Sequence, residues 1–331
     1  MLKVHGTEYQ FGGTHEIGCR EGIFTLKTFL HTRRNHGLPT YVAFIDLVKA
    51  YDTIDHELLI KVLEKYGVPA PLRRMIATLY ENLIISFSLG KEKIEIHQSV
   101  GVRQGDNMAP VLFLFVMTAF HTLLEQSYEK NNIEMIGFAT ESDDTYRTGQ
   151  MLRHKPNKLH RTTRIQIING VMYVDDTALI FAPRNEMIKA LPLAQKLFSD
   201  LGMEMHVGQR LDSIDEKTGL QKIKESKTEC MFIPPSGYFK RYVRITNHPV
   251  NDDAVLDHDI ESESDEQRRA RYAREDELYD ADPETANFDV TGGFVSFTKH
   301  FKYLGSMISY SLRDDIDVQR RIDAAGKPWA H

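Results

Sequence analysis

The stretch Tyr173-Val174-Asp175-Asp176 limits this chain more than any other, because it sets two adjacent acids between two apolar runs. The first run ends IINGVMYV and the second reads TALIFA, both rich in the β-branched and aromatic residues that suit strands. Two turn-prone aspartates between two short strands make a hairpin tip. Such a tip carries two anions, and no basic residue is close in sequence to relieve them. Either the pair is a solvated turn, or it holds a divalent cation. Mg²⁺ takes one or two carboxylates together with substrate phosphates, so the second reading points to phosphoryl transfer.

A third acid on another strand separates the two readings. The run YVAFIDLVKAYD at 41–52 is apolar up to Asp46. Aspartates are rarely buried without a partner, so Asp46 either ends its strand facing solvent or shares a metal with the hairpin pair. One acid on one strand and two on a neighbouring hairpin suffice for a two-metal site.

The chain has 331 residues, enough for about two domains and a sizeable core. Cys19 and Cys230 are far apart with no CxxC spacing, which excludes a disulfide framework and a zinc knuckle. That usage, and the absence of a signal-peptide core in MLKVHGTEYQFGG, predict an intracellular protein of the nucleus or cytoplasm. The longest apolar stretch, 108–124, contains Pro110 and His121 and is read as a buried helix, so no membrane partner is expected. The net charge is −6, but residues 251–290 hold 15 acids against 4 Arg, so the rest of the chain is net positive by 5. That balance permits nucleic-acid binding without requiring it.

Along the chain, the spacing predicts helices over GIFTLKTFLHTRR, HELLIKVLEKY (capped by Asp55, ended by Gly67) and LRRMIATLYENL. A hairpin follows around Gly90-Lys91. Residues 139–164 read as a polar loop with six Lys or Arg and no acid between Thr145 and Arg164. It is either a solvated loop or a patch that follows a phosphate backbone. Asp143-Asp144 falls there with no strand before it and is set aside. Pro192 is expected to kink or delay the helix over NEMIKALPLAQKLFSDLG. Residues 209–225 read as a polar insertion, and the acidic 251–290 stretch as disordered or loosely structured, with a regulatory tail as the other reading.

FIDLVKAYDTIDHELL, GVRQGDNMAPVLF, YVDDTALIF, SKTECMF and FKYLGSMIS occur in that order over about residues 10–325. Together they resemble a reverse transcriptase of the non-LTR retrotransposon, LINE-like type. The resemblance implies an α+β right-hand polymerase: an antiparallel palm sheet backed by helices, with partial fingers and a truncated thumb. The expected division is partial fingers over 1–40, palm over 41–237, the acidic insertion over 238–293, and a primer-grip hairpin with the start of a thumb over 294–331. It also implies RNA-templated DNA synthesis, with an RNA template, a DNA primer and deoxynucleoside triphosphates as partners. Two Mg²⁺ ions are the implied cofactor, with Mn²⁺ as a tolerated substitute.

Residue by residue, the resemblance makes Asp46 and Asp175 the principal metal ligands, Asp176 the supporting acid, and the Leu47 carbonyl a further ligand. Tyr51 matches the aromatic that rejects a ribose 2′-hydroxyl, the other reading being a core tyrosine. Arg103, Gln104, Gly105 and Tyr173 border the nucleotide and template, with Gly101 and Gly105 allowing close backbone approach. Lys227 matches the lysine that serves as general acid to pyrophosphate, the other reading being a surface lysine. Tyr303, Leu304 and Gly305 correspond to the primer grip.

Departures from the family pattern are also present. Asn107 replaces a common proline, and Thr14-His15 stand where Arg-Pro is usual. The basic fingers segment expected before residue 10 and most of the thumb are not found. A catalytically decayed retroelement relic with weak nucleic-acid binding is therefore the alternative. A viral RNA-dependent RNA polymerase is a third, against which Tyr51 argues.

Overall fold

The computed structural model describes residues 9–13, 17–81, 83–90, 92–98, 100–102, 105–143, 161–214, 221–241 and 263–326. Arg103, Gln104, most of the basic loop (144–160) and the first part of the acidic stretch (242–262) lie outside these residues.

In chain order the helices and strands begin with α1 (Cys19–Asn35), β1 (Thr40–Ile45), β2 (Leu47–Val48) and the short α2 (Ala50–Thr53). Next come α3 (His56–Lys65), α4 (Ala70–Tyr80), the hairpin β3 (Leu83–Leu89) and β4 (Glu92–Gln98), and α5 (Ala109–Lys130). A second hairpin, β5 (Gly137–Asp143) and β6 (Arg161–Ile167), precedes β7 (Gly170–Tyr173), β8 (Asp176–Phe181) and α6 (Arg184–Asp200). Then follow β9 (Glu204–Met205), β10 (Gln209–Ile214), β11 (Gln221–Lys224) and β12 (Glu229–Ile233). The chain continues through α7 (Asp265–Ala281), β13 (Phe288–Val290), β14 (Gly293–Phe297), β15 (His300–Tyr303), β16 (Ser306–Ser309) and α8 (Asp315–Gly326).

Six strands form the main sheet in the order β13-β14-β12-β1-β8-β7. Only β12 and β14 run parallel; the other neighbours are antiparallel. β1 sits in the middle and is buried at every position, which is why TYVAFI reads as an unbroken apolar run rather than an alternation. The apolar side of α5 (Leu112, Phe113, Val116, Phe120, Leu124) and that of α6 (Met187, Leu191, Ala194, Phe198) join the same core. Phe120 and Phe198 stack at 3.8 Å between ring centroids and lock the two helices together. α5 is long and apolar enough to cross a bilayer, but most of its apolar residues are buried in this core.

Several local expectations hold. Asp55 caps α3 by accepting from Leu58 N at 2.7 Å, and Gly67 follows that helix with φ +74°. The hairpin at Gly90 forms, with Leu89 opposite Glu92.

Others are corrected. α6 begins at Arg184 and contains Pro192, so the proline does not delay its start; Met187, Leu191, Ala194 and Phe198 are buried on both sides of it. Gly137–Asp143 is a strand paired with Arg161–Ile167, so Asp143 does have a strand before it and the 139–164 segment is only partly a loop. The polar 209–225 segment contains an exposed two-stranded hairpin, β10–β11.

The largest difference concerns the acidic stretch, whose second half is ordered. α7 opens on a capping box in which Ser264 and Gln267 bond reciprocally. Several of its charges pair locally: Arg271 makes a two-pronged contact with Glu263 (2.8 and 2.9 Å) and a third with Glu275 at 3.1 Å. Leu278 and Tyr279 are buried, and the Tyr279 hydroxyl accepts from Phe232 N and donates to Thr298 O. β13 and β14 then extend the main sheet. Two apolar anchors in a charged helix are too few to register in composition; Asp276 accepting from Tyr310 and Asp280 paired with Lys299 help to dock it.

Candidate active site

Antiparallel pairing decides where the acids meet. Ile45 lies opposite Thr177, so the chain leaves β1 at Asp46 at the same end of the sheet where β8 begins at Asp176. β7 and β8 are joined by a two-residue turn, Val174-Asp175, closed by the pair Tyr173 and Asp176. Val174 has φ +60°, a region a β-branched residue avoids at a cost of roughly 1–3 kcal/mol. The hairpin that carries the acids is therefore strained at its tip.

The electrostatics follow from this convergence. Burial raises the proton affinity of Asp175, and Asp46 raises it further, against backbone hydrogen bonds that lower it. Burial pushes the Asp176 carboxyl up to about 6, with Asp175 and Asp46 adding to the effect. The charges that shift these two groups are thus all acids, and no cation among the described residues offsets them. Among the described residues, no three His, Cys, Asp or Glu side chains form a cluster that could hold a metal ion by themselves. The donor set nevertheless fits Mg²⁺, which is held by one or two carboxylates completed by water and substrate phosphates.

Asp46 is fixed through its backbone. Its N–H donates to Thr228 Oγ1 at 3.1 Å, and its carbonyl accepts from His206 N at 2.8 Å. Leu47 pairs with Met205 in the small β2–β9 ladder. His206 Nδ1 in turn accepts from Lys227 N at 3.1 Å, which sets the exposed Lys227 beside the strand end that carries Asp46.

Tyr51, half-buried on α2, stacks flat on Phe113 of α5 at 4.4 Å with 10° between the rings. Asp175 and Tyr173 both help to raise the proton affinity of its hydroxyl, after burial, so the ring stands within reach of the hairpin's field. Gly101 has φ +90°, and a Cβ there would lie 2.8 Å from Asp52 O; the loop can approach α2 only with glycine. Val102 N completes that contact by donating to Tyr51 O at 2.7 Å. Gly105 has φ +86° and open space around it.

Tyr303, Leu304 and Gly305 do form a hairpin tip, closed by Tyr303 opposite Ser306, with Leu304 at φ +48° and Gly305 at +84°. Positive φ at both central residues is the type I′ pattern. The Tyr303 side chain, however, is buried rather than presented to solvent. Its hydroxyl donates to Val171 O at 2.8 Å and Asp176 O at 3.3 Å, so it braces the β7–β8 hairpin from below. Sequence reasoning did not single out this contact, nor Thr228, His206, Phe113 or Gln10, all of which touch the residues that carry the site. Thr228 did leave a signal, as a hydroxyl entering an apolar strand.

A mainly antiparallel sheet that delivers carboxylates from two neighbouring strands to one open end, with an aromatic within reach of the hairpin, has the form of a polymerase palm. The family model described as reverse transcriptase (RNA-dependent DNA polymerase) matches residues 4–208, more than half of the chain, and the chain belongs to that family. Its relatives include Pol polyproteins of R2 retrotransposable elements. That of Nasonia vitripennis is 30% identical over 129 residues, 38% of this chain and 13% of the relative. The Popillia japonica protein is 28% identical over 111 residues, 32% of this chain and 18% of the relative. The R2DM protein of Drosophila melanogaster is 30% identical over 101 residues, 30% of this chain and 10% of the relative. The matched part of the chain thus spans under a fifth of the length of these relatives. A solved telomerase of Candida tropicalis with an RNA fragment overlaps 69% of this chain and 32% of its own, at TM-score 0.40 and 9% identity.

Proposed function

We propose that this chain carries the polymerase centre of a non-LTR retrotransposon reverse transcriptase, which extends a DNA primer on an RNA template from deoxynucleoside triphosphates. One observation supports this reading above the others: Asp46 raises the proton affinity of both Asp175 and Asp176, and Asp175 that of Asp176, at the open end of the sheet, with no cation among the described residues to relieve them. Asp46 and Asp175 would hold Mg²⁺, with Asp176 supporting and the Leu47 carbonyl nearby. When bound, the metal supplies activation of the primer 3′-hydroxyl and neutralisation of phosphate charge.

The remaining work falls to the chain's own side chains. Tyr51, its ring held flat by Phe113, fills the space a ribose 2′-hydroxyl would need. Lys227 stands to give a proton to departing pyrophosphate. Gly105, with positive φ and free surroundings, lets backbone approach the nucleotide and template. Tyr303 keeps the acid-bearing hairpin in place by holding two of its carbonyls.

The test is primer extension on an RNA template with Mg²⁺, with Asp175→Asn alongside. Extension that the substitution abolishes supports the reading. Extension that survives it discards the metal mechanism, and a folded wild type that extends nothing favours the decayed relic.

A further inference from the structure

Gln10 has no part in the chemistry above, yet both polar atoms of its side chain reach the strained turn. Its Oε1 accepts from Gly12 N and from Val174 N, each at 2.9 Å, and its Nε2 donates to Val174 O at 3.4 Å. The backbone on either side of Gln10 adds to the free edge of β7. Phe11 N donates to Met172 O at 2.8 Å, and Met172 N donates to Tyr9 O at 2.9 Å. Gly12 completes the contact, since a Cβ there would stand 2.5 Å from Val174 Cγ2. The segment before α1 thus closes over the one residue of the β7–β8 turn that has a positive φ.

A β-branched residue stays at positive φ only where its surroundings hold it. Val174 is followed directly by Asp175 and Asp176. Relaxation of Val174 to negative φ would re-aim both carboxylates relative to Asp46. Glutamine is suited to prevent this, because one side-chain atom accepts two N–H groups while the other donates. A lysine or arginine could not accept, and a carboxylate would bring a further negative charge beside the acids.

We propose that Gln10 is a positioning residue for the acid site: its amide clamps Val174 in the left-handed conformation and so fixes where Asp175 and Asp176 point. The consequence for metal binding and turnover rests on the polymerase reading; the clamp itself does not.

Hydrogen–deuterium exchange on the full chain, at neutral pH, compares wild type, Gln10→Met and Gln10→Glu across residues 170–181. Gln10→Met removes the three bonds to Gly12 and Val174 with little change in size. Exchange at the hairpin tip is expected to rise roughly tenfold, while β12 and α6 exchange as before. Mn²⁺ affinity, titrated by electron paramagnetic resonance without nucleic acid, is expected to fall roughly tenfold, the scale seen when a partner that orients metal ligands is lost. In primer extension the Mg²⁺ concentration for half-maximal rate should rise by the same factor, with KM for template–primer unchanged.

Gln10→Glu keeps both acceptor bonds and should hold tip exchange within about twofold of wild type. It carries the test if Gln10→Met does not fold. In a Val174→Gly background, where positive φ is free of strain, the Gln10→Met effects should shrink. Unchanged tip exchange in Gln10→Met overturns the proposal, and so does tip exchange in Gln10→Glu as fast as in Gln10→Met; raised tip exchange with unchanged Mn²⁺ affinity supports the clamp and defeats its metal consequence. A wild type that extends no primer, with the exchange and Mn²⁺ effects intact, defeats the polymerase reading and supports the clamp.

Discussion

Replacing Asp176 with asparagine should make the protein more stable while weakening its response to Mg²⁺. The carboxyl titrates at about 6 instead of 3.8, raised first by burial and then by Asp175 and Asp46. A shift of about two units amounts to roughly 3 kcal/mol of penalty on the ionised form. That figure is a ceiling, because the side chain lies at the open end of the sheet with water on one side, and screening brings the effect to roughly 1 kcal/mol. The sign follows from proton linkage. The folded state binds the proton more tightly than the unfolded state, so the penalty is absent below about pH 4, grows as pH rises, and is complete above about pH 6. Asp176→Asn removes it. Thermal melts without divalent ions should therefore place the variant about 2 °C above wild type at pH 7.5, with the gap closing at pH 4. Adding Mg²⁺ at ten times its dissociation constant stabilises the wild type by about 1.4 kcal/mol, and the variant by less. A variant no more stable than wild type at pH 7.5, or a gap independent of pH, would refute the view of these acids as an uncompensated anionic site.

Tyr51→Ala should raise ribonucleotide incorporation relative to deoxynucleotide, and Phe113→Leu, which removes the stacked support, should do so to a smaller degree; an unchanged ratio in single-nucleotide extension would rule out the steric role. Tyr303→Phe loses the hydroxyl bonds to Val171 O and Asp176 O and should cost about 1 kcal/mol by denaturant unfolding, together with faster exchange in β7–β8. Replacing Arg153, Lys155 and Lys158 with glutamine should flatten the salt dependence of RNA binding by roughly two units of slope if these side chains neutralise phosphates. An identical slope would leave the segment as a solvated loop.

Elements built from neighbours in sequence were legible. β1 could be read because six consecutive apolar or β-branched residues leave room for little else. α3 could be read because Asp55, a regular apolar spacing and Gly67 mark its start, body and end. The YVDD hairpin was legible for the same local reason, and the resemblance of five motifs in order predicted which acids belong together. Two elements were misjudged where burial outweighed a local signal. Pro192 marks a late start by its own chemistry, but α6 begins before it, with buried residues on both sides. α7 looks too charged to order, yet many of its charges pair locally, Asp276 and Asp280 reach Tyr310 and Lys299, and Tyr279 bonds into β12.

The amino-acid sequence by itself supplied the candidate residues: the acids from their place between apolar runs, Tyr51 and Lys227 from the resemblance of the motifs around them. Tertiary structure alone decided how they are held. The register of β1 on β8 sets Asp46 beside the hairpin, and Tyr303 braces that hairpin from the other end of the chain. Gln10 clamps a valine 164 residues away. Such contacts have no period, cap or turn to announce them. A two-residue turn under strain is unfavourable alone, and only the folded chain can bring remote groups such as Gln10 and Tyr303 up to hold its backbone.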